Sequence, residues 1–180
     1  SPVSLQVFDY TQRLVRARRA EGADDLITVM ADSLVQGAAL SETEFNTFFL
    51  LLVIAGNETT RQSLSHGLVA FASHPDQLER VRADRSLLPS AVDEVLRWAC
   101  PQIHFRRTTT RDTELAGVPI AAGDKVVTWY LSANYDEAEF DEPQRFDVSR
   151  SPNRHVTFGG GGPHLCLGQW LARLEVQVFV

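Results

Sequence analysis

Apolar positions along residues 3–20 recur at helical spacing, with Val7, Leu14 and Val15 on one face. A polar break from Glu21 to Asp25 ends that helix, and a shorter one follows to about residue 34. At Ser41 the sequence reads "SETE", a capping box with Ser41 as N-cap and Glu44 three positions on. Helical patterning then persists to about Ser73, a rod of roughly 50 Å at 1.5 Å per residue. His74 and Pro75 end it, and Pro75 suits the first position of the next helix. A further helix fits Pro89 to Ala99, stopped by Pro101.

The period then changes. Residues 104–130 alternate, are rich in Thr and Val, and are broken at Gly117-Val118-Pro119 and Ala122-Gly123-Asp124. That predicts short antiparallel strands. Residues 132–157 are polar and irregular. A final helix, with Leu167, Trp170, Leu171, Leu174 and Val178 at helical spacing, is predicted to start at or just after Cys166. The fold class is mainly α with a small β element.

The 180 residues suit one domain with one sizeable core. A net charge of -6 argues against a nucleic-acid partner. The most apolar run, "FFLLLVIA" from Phe48 to Ala55, is too short to span a bilayer and reads as buried helix. Residues 1–20 hold arginines but no long apolar stretch, so no signal peptide is expected. Cys100 and Cys166 make a poor disulfide framework, and a reducing cytoplasm is the simpler setting. Both ends fall inside helical patterns without cap or stop signals, which predicts a fragment of a longer chain.

Candidate chemistry concentrates in "TFGGGGPHLCLGQW", Thr157 to Trp170. A helix N-terminus favours a thiolate at Cys166. Leu165 and Leu167 flank the sulfur with apolar bulk that would keep water from a metal–sulfur bond. The glycines from Gly159 to Gly162 permit close backbone approach, and Gly168 leaves room for a large flat group against the helix start. A zinc site is short of ligands, since only His164 and Cys166 lie together. A catalytic thiol would need a base, and no local signature supplies one. A single thiolate suits haem iron.

The stretch "FGGGGPHLCLG" resembles the haem-binding loop of the cytochrome P450 monooxygenases. Three further segments carry the likeness in the family's order. "AGNETT" (Ala55 to Thr60) resembles the central-helix motif A-G-x-[DE]-T, "EVLR" (Glu94 to Arg97) resembles E-x-x-R, and "EPQRF" (Glu142 to Phe146) resembles P-x-R-F. The resemblance covers essentially all 180 residues and implies the C-terminal, haem-binding part of the P450 fold. On that reading residues 1–180 are a partial domain whose N-terminal portion is absent. Phe158 precedes Cys166 by eight positions, one more than the common pattern. With "SAN.DE" (Ser132 to Glu137) and "GNETTR" (Gly56 to Arg61), this is most similar to bacterial P450s that hydroxylate sterol side chains and methyl-branched lipids.

The resemblance implies haem b with Cys166 as axial ligand and O₂ as co-substrate. It implies His164 at one haem propionate and Arg107 at the other, with Arg107 favoured over Arg106. Phe158 would pack on the proximal side, with Gly159 and Gly168 giving backbone room. On the central helix, Ala55 and Gly56 would leave space for haem and O₂. Thr59 would offer its hydroxyl to the oxygen chemistry, and Glu58 would relay protons. Glu94, Arg97 and Arg145 would form a buried network behind the cysteine loop. Leu52, Ala55 and Ile103 would line the pocket of an apolar small-molecule substrate. No flavin or nicotinamide fingerprint is present, so a ferredoxin and a ferredoxin reductase are the expected electron donors. Arg154 and His155 are candidates for their docking surface. A haem-thiolate sensor, or a truncated fragment inactive by itself, are the competing readings. The pairing of Glu58 with Thr59 argues against a sensor.

Overall fold

The computed structural model describes the backbone of residues 2–180 and the side chains from residue 4 onward. The chain divides into two compact units, Ser1–Asn57 and Glu58–Val180, and the division falls inside the longest helix. Each unit has its own apolar cluster, where the length alone had suggested one core.

The first unit comprises α1 (Pro2–Glu21), α2 (Leu26–Asp32), a hairpin of β1 (Leu34–Val35) and β2 (Ala38–Ala39), and the first half of α3 (Glu42–Ser73). Asp25 caps α2 by accepting from the Thr28 N–H at 3.0 Å. The Ser41 capping box forms reciprocally: the Ser41 N–H donates to Glu44 Oε2 at 2.8 Å, and the Glu44 N–H to Ser41 Oγ at 3.3 Å. Val15, Met30 and Phe45 form the buried cluster, with Ile27, Phe48 and Leu52 packed against it. The hairpin was not anticipated. Its two-residue loop, Gln36 and Gly37, has positive φ at both positions (53° and 83°), the twist a tight hairpin requires. Strands of two residues show no alternation, and glutamine is a weak turn signal.

The second unit continues α3 and adds α4 (Pro75–Ala83), a 3-10 turn (Arg85–Leu87) and α5 (Leu88–Ala99). It continues with β3 (His104–Thr108), β4 (Thr113–Leu115), β5 (Val118–Ile120), β6 (Lys125–Trp129), α6 (Tyr130–Asn134) and α7 (Gln169–Phe179). The strands form two antiparallel pairs, β3 with β6 and β4 with β5. In register, Arg107 faces Val126, and Leu115 faces Val118 across a loop of Ala116 and Gly117.

The core of this unit sits around α5, whose buried face carries Ala91, Val92, Val95 and Leu96. Phe71, Val81, Phe146, Val148 and Val176 complete it. At Gly67 of α3 an added Cβ would lie 2.9 Å from Val95 Cγ1, so glycine lets these helices meet closely. Cys100 ends α5 in the left-handed region at φ 34°.

Two boundaries differ from the sequence reading. The stretch expected to be irregular from residue 132 begins inside α6. The last helix starts at Gln169 with Gly168 as N-cap, so Cys166 lies on the turn before the helix. Among the described residues, no helix is long and apolar enough to cross a membrane.

Candidate haem-thiolate site

Cys166 is a half-buried free cysteine on the loop between Thr157 and Gly168. Its amide donates to the carbonyl of Phe158 at 3.0 Å, which closes the glycine loop on itself. That closure folds Gly159 against the loop's far end: its φ is 92°, and a Cβ there would meet the His164 carbonyl at 3.8 Å. Gly161 and Gly162 are also at positive φ, where side chains are strained. The Gln169 N–H points back to the Cys166 carbonyl at 3.4 Å, so the helix start is anchored on this residue.

The leucines do not enclose the sulfur as expected: Leu165 is 41% and Leu167 73% exposed. Both lie on the short loop before α7 and keep much of their surface in solvent, so they give the thiol little apolar cover. The His164 side chain is exposed too. Phe158 is half-buried against the core, with the Arg173 guanidinium 4.6 Å from its ring centroid.

Behind the loop lies a fully buried ion pair. Arg97 Nε donates to Glu94 Oε2 at 2.7 Å and Nη2 to Oε1 at 2.9 Å, with both side chains at 0% exposure. Arg97 also donates to the carbonyls of Asn134 (2.8 Å), Pro143 (3.0 Å) and Arg145 (3.4 Å). Arg145 therefore enters through its backbone only. Its guanidinium is exposed and pairs with Glu142 at 2.9 Å, which corrects the expected three-residue set. The third charge is Arg150, whose Nε donates to Glu94 Oε2 at 3.1 Å. The Asp147 N–H (3.0 Å) and Asn153 Nδ2 (3.1 Å) complete the shell of Glu94. The physical reason is local: Arg145 follows a turn begun at Glu142, where φ is 44°, and its side chain falls back on that residue.

On α3, Ala55 and Gly56 are exposed and belong to the first unit, while Glu58 and Thr59 begin the second. Leu52 packs against the cluster of the first unit. Glu58 is engaged by Arg61 Nη2 at 2.6 Å and Gln62 Nε2 at 2.9 Å. These hydrogen bonds, Arg61's first and then Gln62's, hold its carboxyl below the ordinary value. On β3, Arg106 and Arg107 are both exposed, and the Arg107 guanidinium lies 5.6 Å from the Phe105 ring centroid. Ile103, 46% exposed, lines a shallow depression with Trp129, Leu131 and Tyr135.

Sequence reasoning missed Arg150, Asn134 and Thr157. Asn134 Nδ2 donates to Thr157 Oγ1 at 2.9 Å, which donates in turn to the Leu96 carbonyl at 2.9 Å. This pins the start of the cysteine loop to α5. Nothing local marks Asn134 and Thr157, whose side-chain partners lie 22 or more positions away, and the Glu94 partner of Arg150 is 56 positions away. Arg154 is 73% exposed, but the His155 side chain is only 3% exposed, so His155 is no docking residue.

The donor set fits a haem. Among the described residues no group of three His, Cys, Asp or Glu side chains could hold a bare metal ion. Cys166 offers one soft donor, which suits an iron that brings its remaining ligands in a macrocycle. A Cβ on Gly168 would meet nothing within 4 Å, so the backbone beside the sulfur is open.

A family model described as Cytochrome P450 matches residues 4–180. Among curated proteins, the chain is 48% identical over 177 residues to a methyl-branched lipid omega-hydroxylase of Mycobacterium bovis, covering 98% of this chain and 41% of that protein. It is 45% identical over 175 residues to a steroid C26-monooxygenase of Rhodococcus jostii, covering 97% of this chain and 37% of the relative. It therefore spans about two fifths of the length of these relatives. Among solved structures, it superposes with a TM-score of 0.91 and 44% identity on a Mycobacterium marinum cytochrome P450 in complex with pseudoionone, covering 97% of this chain and 42% of that one. A Bacillus megaterium P450 in complex with corticosterone gives a TM-score of 0.92 at 36% identity, covering 98% of this chain and 47% of that one.

Proposed function

Because the chain belongs to the cytochrome P450 family, we propose that it is the C-terminal, haem-binding part of a monooxygenase that uses O₂ to hydroxylate an apolar substrate. The observation that carries this reading is Cys166, a half-buried thiol on a loop whose amide is tied to Phe158. Bound there, haem b would supply iron for O₂ activation, with a thiolate ligand pushing electron density toward O–O cleavage.

The chain's own residues have the following work. Cys166 would provide the sulfur that holds the iron, with Gly168 leaving the backbone open beside it and Gly159 letting the loop close on the His164 carbonyl. Phe158 would pack beside the bound group, and His164 and Arg107 would pair with its carboxylates. Ala55 and Gly56 would keep α3 slim, and the Thr59 hydroxyl would hydrogen-bond water. Glu58, held as a carboxylate by Arg61 and Gln62, would take a proton from solvent once Arg61 releases it and hand it to a water hydrogen-bonded to the Thr59 hydroxyl. Glu94, Arg97 and Arg150 hold residues 134–150 in place.

The substrate is an apolar lipid, a methyl-branched chain or a sterol side chain. The names of the relatives support this, and so does the Phe158-to-Cys166 spacing. Ile103 contributes to its pocket. Electrons come from a ferredoxin and its reductase.

The test is the reduced-CO difference spectrum of the haem-loaded protein, followed by Cys166→Ser. A thiolate-type band that disappears in the variant supports the proposal. A wild type without that band refutes it. Spin-shift titrations with sterols and branched lipids then rank the substrates.

A further inference from the structure

Glu94 faces the buried network just described, while its neighbour Asp93 faces the other way and anchors a second set of groups. Asp93 Oδ1 accepts from Arg173 Nε on α7 at 3.0 Å and from His155 Nε2 at 3.4 Å. The other ring nitrogen of His155, Nδ1, accepts the Thr157 N–H at 3.3 Å. The bonds thus assign the tautomer: the ring proton sits on Nε2 and is donated to Asp93. A histidine used in this way on both nitrogens, with its side chain 3% exposed, has a fixed orientation.

Both partners of Asp93 then converge on one ring. The Arg173 guanidinium lies 4.6 Å from the Phe158 centroid, and the His155 ring is 5.9 Å from it. Gln169 Oε1 accepts from Arg173 Nη1 at 3.2 Å, which ties the same guanidinium to the first turn of α7. Phe158 in turn offers its carbonyl to the Cys166 amide at 3.0 Å. An unbroken series of contacts therefore runs from Asp93 through Arg173 and His155 to Phe158, and from Phe158 to the backbone of the cysteine. Burial alone would push Asp93 up, but the His155 hydrogen bond and the Arg173 charge outweigh it and hold the carboxyl below its ordinary value. Asp93 is therefore a carboxylate at neutral pH.

We infer that Asp93, His155 and Arg173 are positioning residues for the thiolate: they clamp the Phe158 ring and thereby set the orientation in which Cys166 presents its sulfur. This rests on the haem-thiolate reading of Cys166. Groups behind a metal ligand orient it, and losing one typically costs 10–100-fold in metal affinity or activity. The Glu94 carboxylate is bonded to other residues, Arg97, Arg150 and Asn153.

The experiment compares wild type, Asp93→Asn, Asp93→Glu and Arg173→Gln as holoproteins. Three readouts are taken: the thiolate share of the reduced-CO spectrum, the rate of haem transfer to apomyoglobin, and amide hydrogen exchange over residues 158–168. Asp93→Asn and Arg173→Gln should lose part of the thiolate band, release haem about tenfold faster, and exchange faster in that segment. Asp93→Glu, which keeps the charge, should recover part of each. Should Asp93→Asn fail to fold, Arg173→Gln carries the same test, since it leaves the Asp93–His155 bond in place. A lowered melting temperature with all three readouts at wild-type values would overturn the inference. A wild type lacking the thiolate band would sink the haem-thiolate proposal instead, and exchange over residues 158–168 alone would then decide whether the clamp holds the loop.

Discussion

Arg97→Ala removes the donor around which the second unit is organised. The side chain makes contacts to both Glu94 oxygens and to the carbonyls of Asn134, Pro143 and Arg145. Without it Glu94, at 0% exposure, keeps Arg150 and Asn153 but loses its bidentate partner. Breaking a buried pair from one side costs about 3–5 kcal/mol. Each carbonyl left without a donor adds about 1–3 kcal/mol unless water enters. Water can refill part of a cavity of arginine size, so a net loss of about 5 kcal/mol is the expected outcome. That is a large share of the 5–15 kcal/mol that holds a typical domain. It corresponds to a drop of roughly 10–20 °C in melting temperature for a chain of this size. The residues it holds, from Asn134 through the 140s, lead directly into the cysteine loop, so haem incorporation should fail. Arg97→Lys should be intermediate, since one ammonium cannot reach both Glu94 oxygens and the carbonyls. The assay is the ratio of haem to protein absorbance after purification, with a thermal melt. Normal Soret intensity in Arg97→Ala, with a melting temperature within about 2 °C of wild type, would refute the reasoning.

Gly67→Ala places a Cβ 2.9 Å from Val95 Cγ1. Overpacking of about 1–3 kcal/mol outweighs the helix-propensity gain of up to about 1 kcal/mol, so denaturant midpoints should fall; a stabilised variant would show that α3 and α5 separate freely. The Asp147 side chain is 24% exposed. Burial would raise its carboxyl, but the Ser149 N–H and hydroxyl and then Arg80 hold it below the ordinary value. Its stabilisation is present above the unfolded carboxylate value of about 3.9 and is lost as pH falls through the lower folded value. Asp147→Asn should therefore flatten the acid limb of stability below about pH 4, and parallel wild-type and variant curves would contradict this. Burial pushes the Cys100 thiol up to about 11, so in the folded protein at pH 8 it should resist alkylation and react only on unfolding. Peptide mass spectrometry showing rapid labelling of native Cys100 would disprove it.

Much of this was legible because it is written in local signals. The capping box at Ser41, the stop at His74-Pro75 and the Thr/Val alternation of residues 104–130 each act within a few positions. The box and the stop stand where expected, and the alternating stretch resolves into β3 to β6. The pair Glu94 and Arg97 was visible through the motif it belongs to, since a spacing of one helical turn alone describes any surface pair. Arg150 was not visible, since nothing in its neighbourhood says that it folds back to Glu94. Arg145 looked better placed only because it sits in a motif. His155 was misread for a related reason. A histidine beside an arginine before a loop suggests a surface, and only the long-range contact with Asp93 shows that it is enclosed. The hairpin at residues 34–39 lay below the length at which periodicity carries information.

The adjacent placement of Asp93 and Glu94 on α5, each with its own set of partners, has a consequence for how the chain can change length. Residues 134–158 are measured against α5 from both sides: Glu94 and Arg97 hold the earlier part, and Asp93 and Leu96 hold the later part. One residue added or removed there would put a charge opposite the wrong partner, so insertions and deletions should be refused. The turn at Ala116 and Gly117 joins two exposed three-residue strands and bears on none of these contacts. Length variation among related chains should gather at that hairpin tip and be scarce between Asn134 and Phe158.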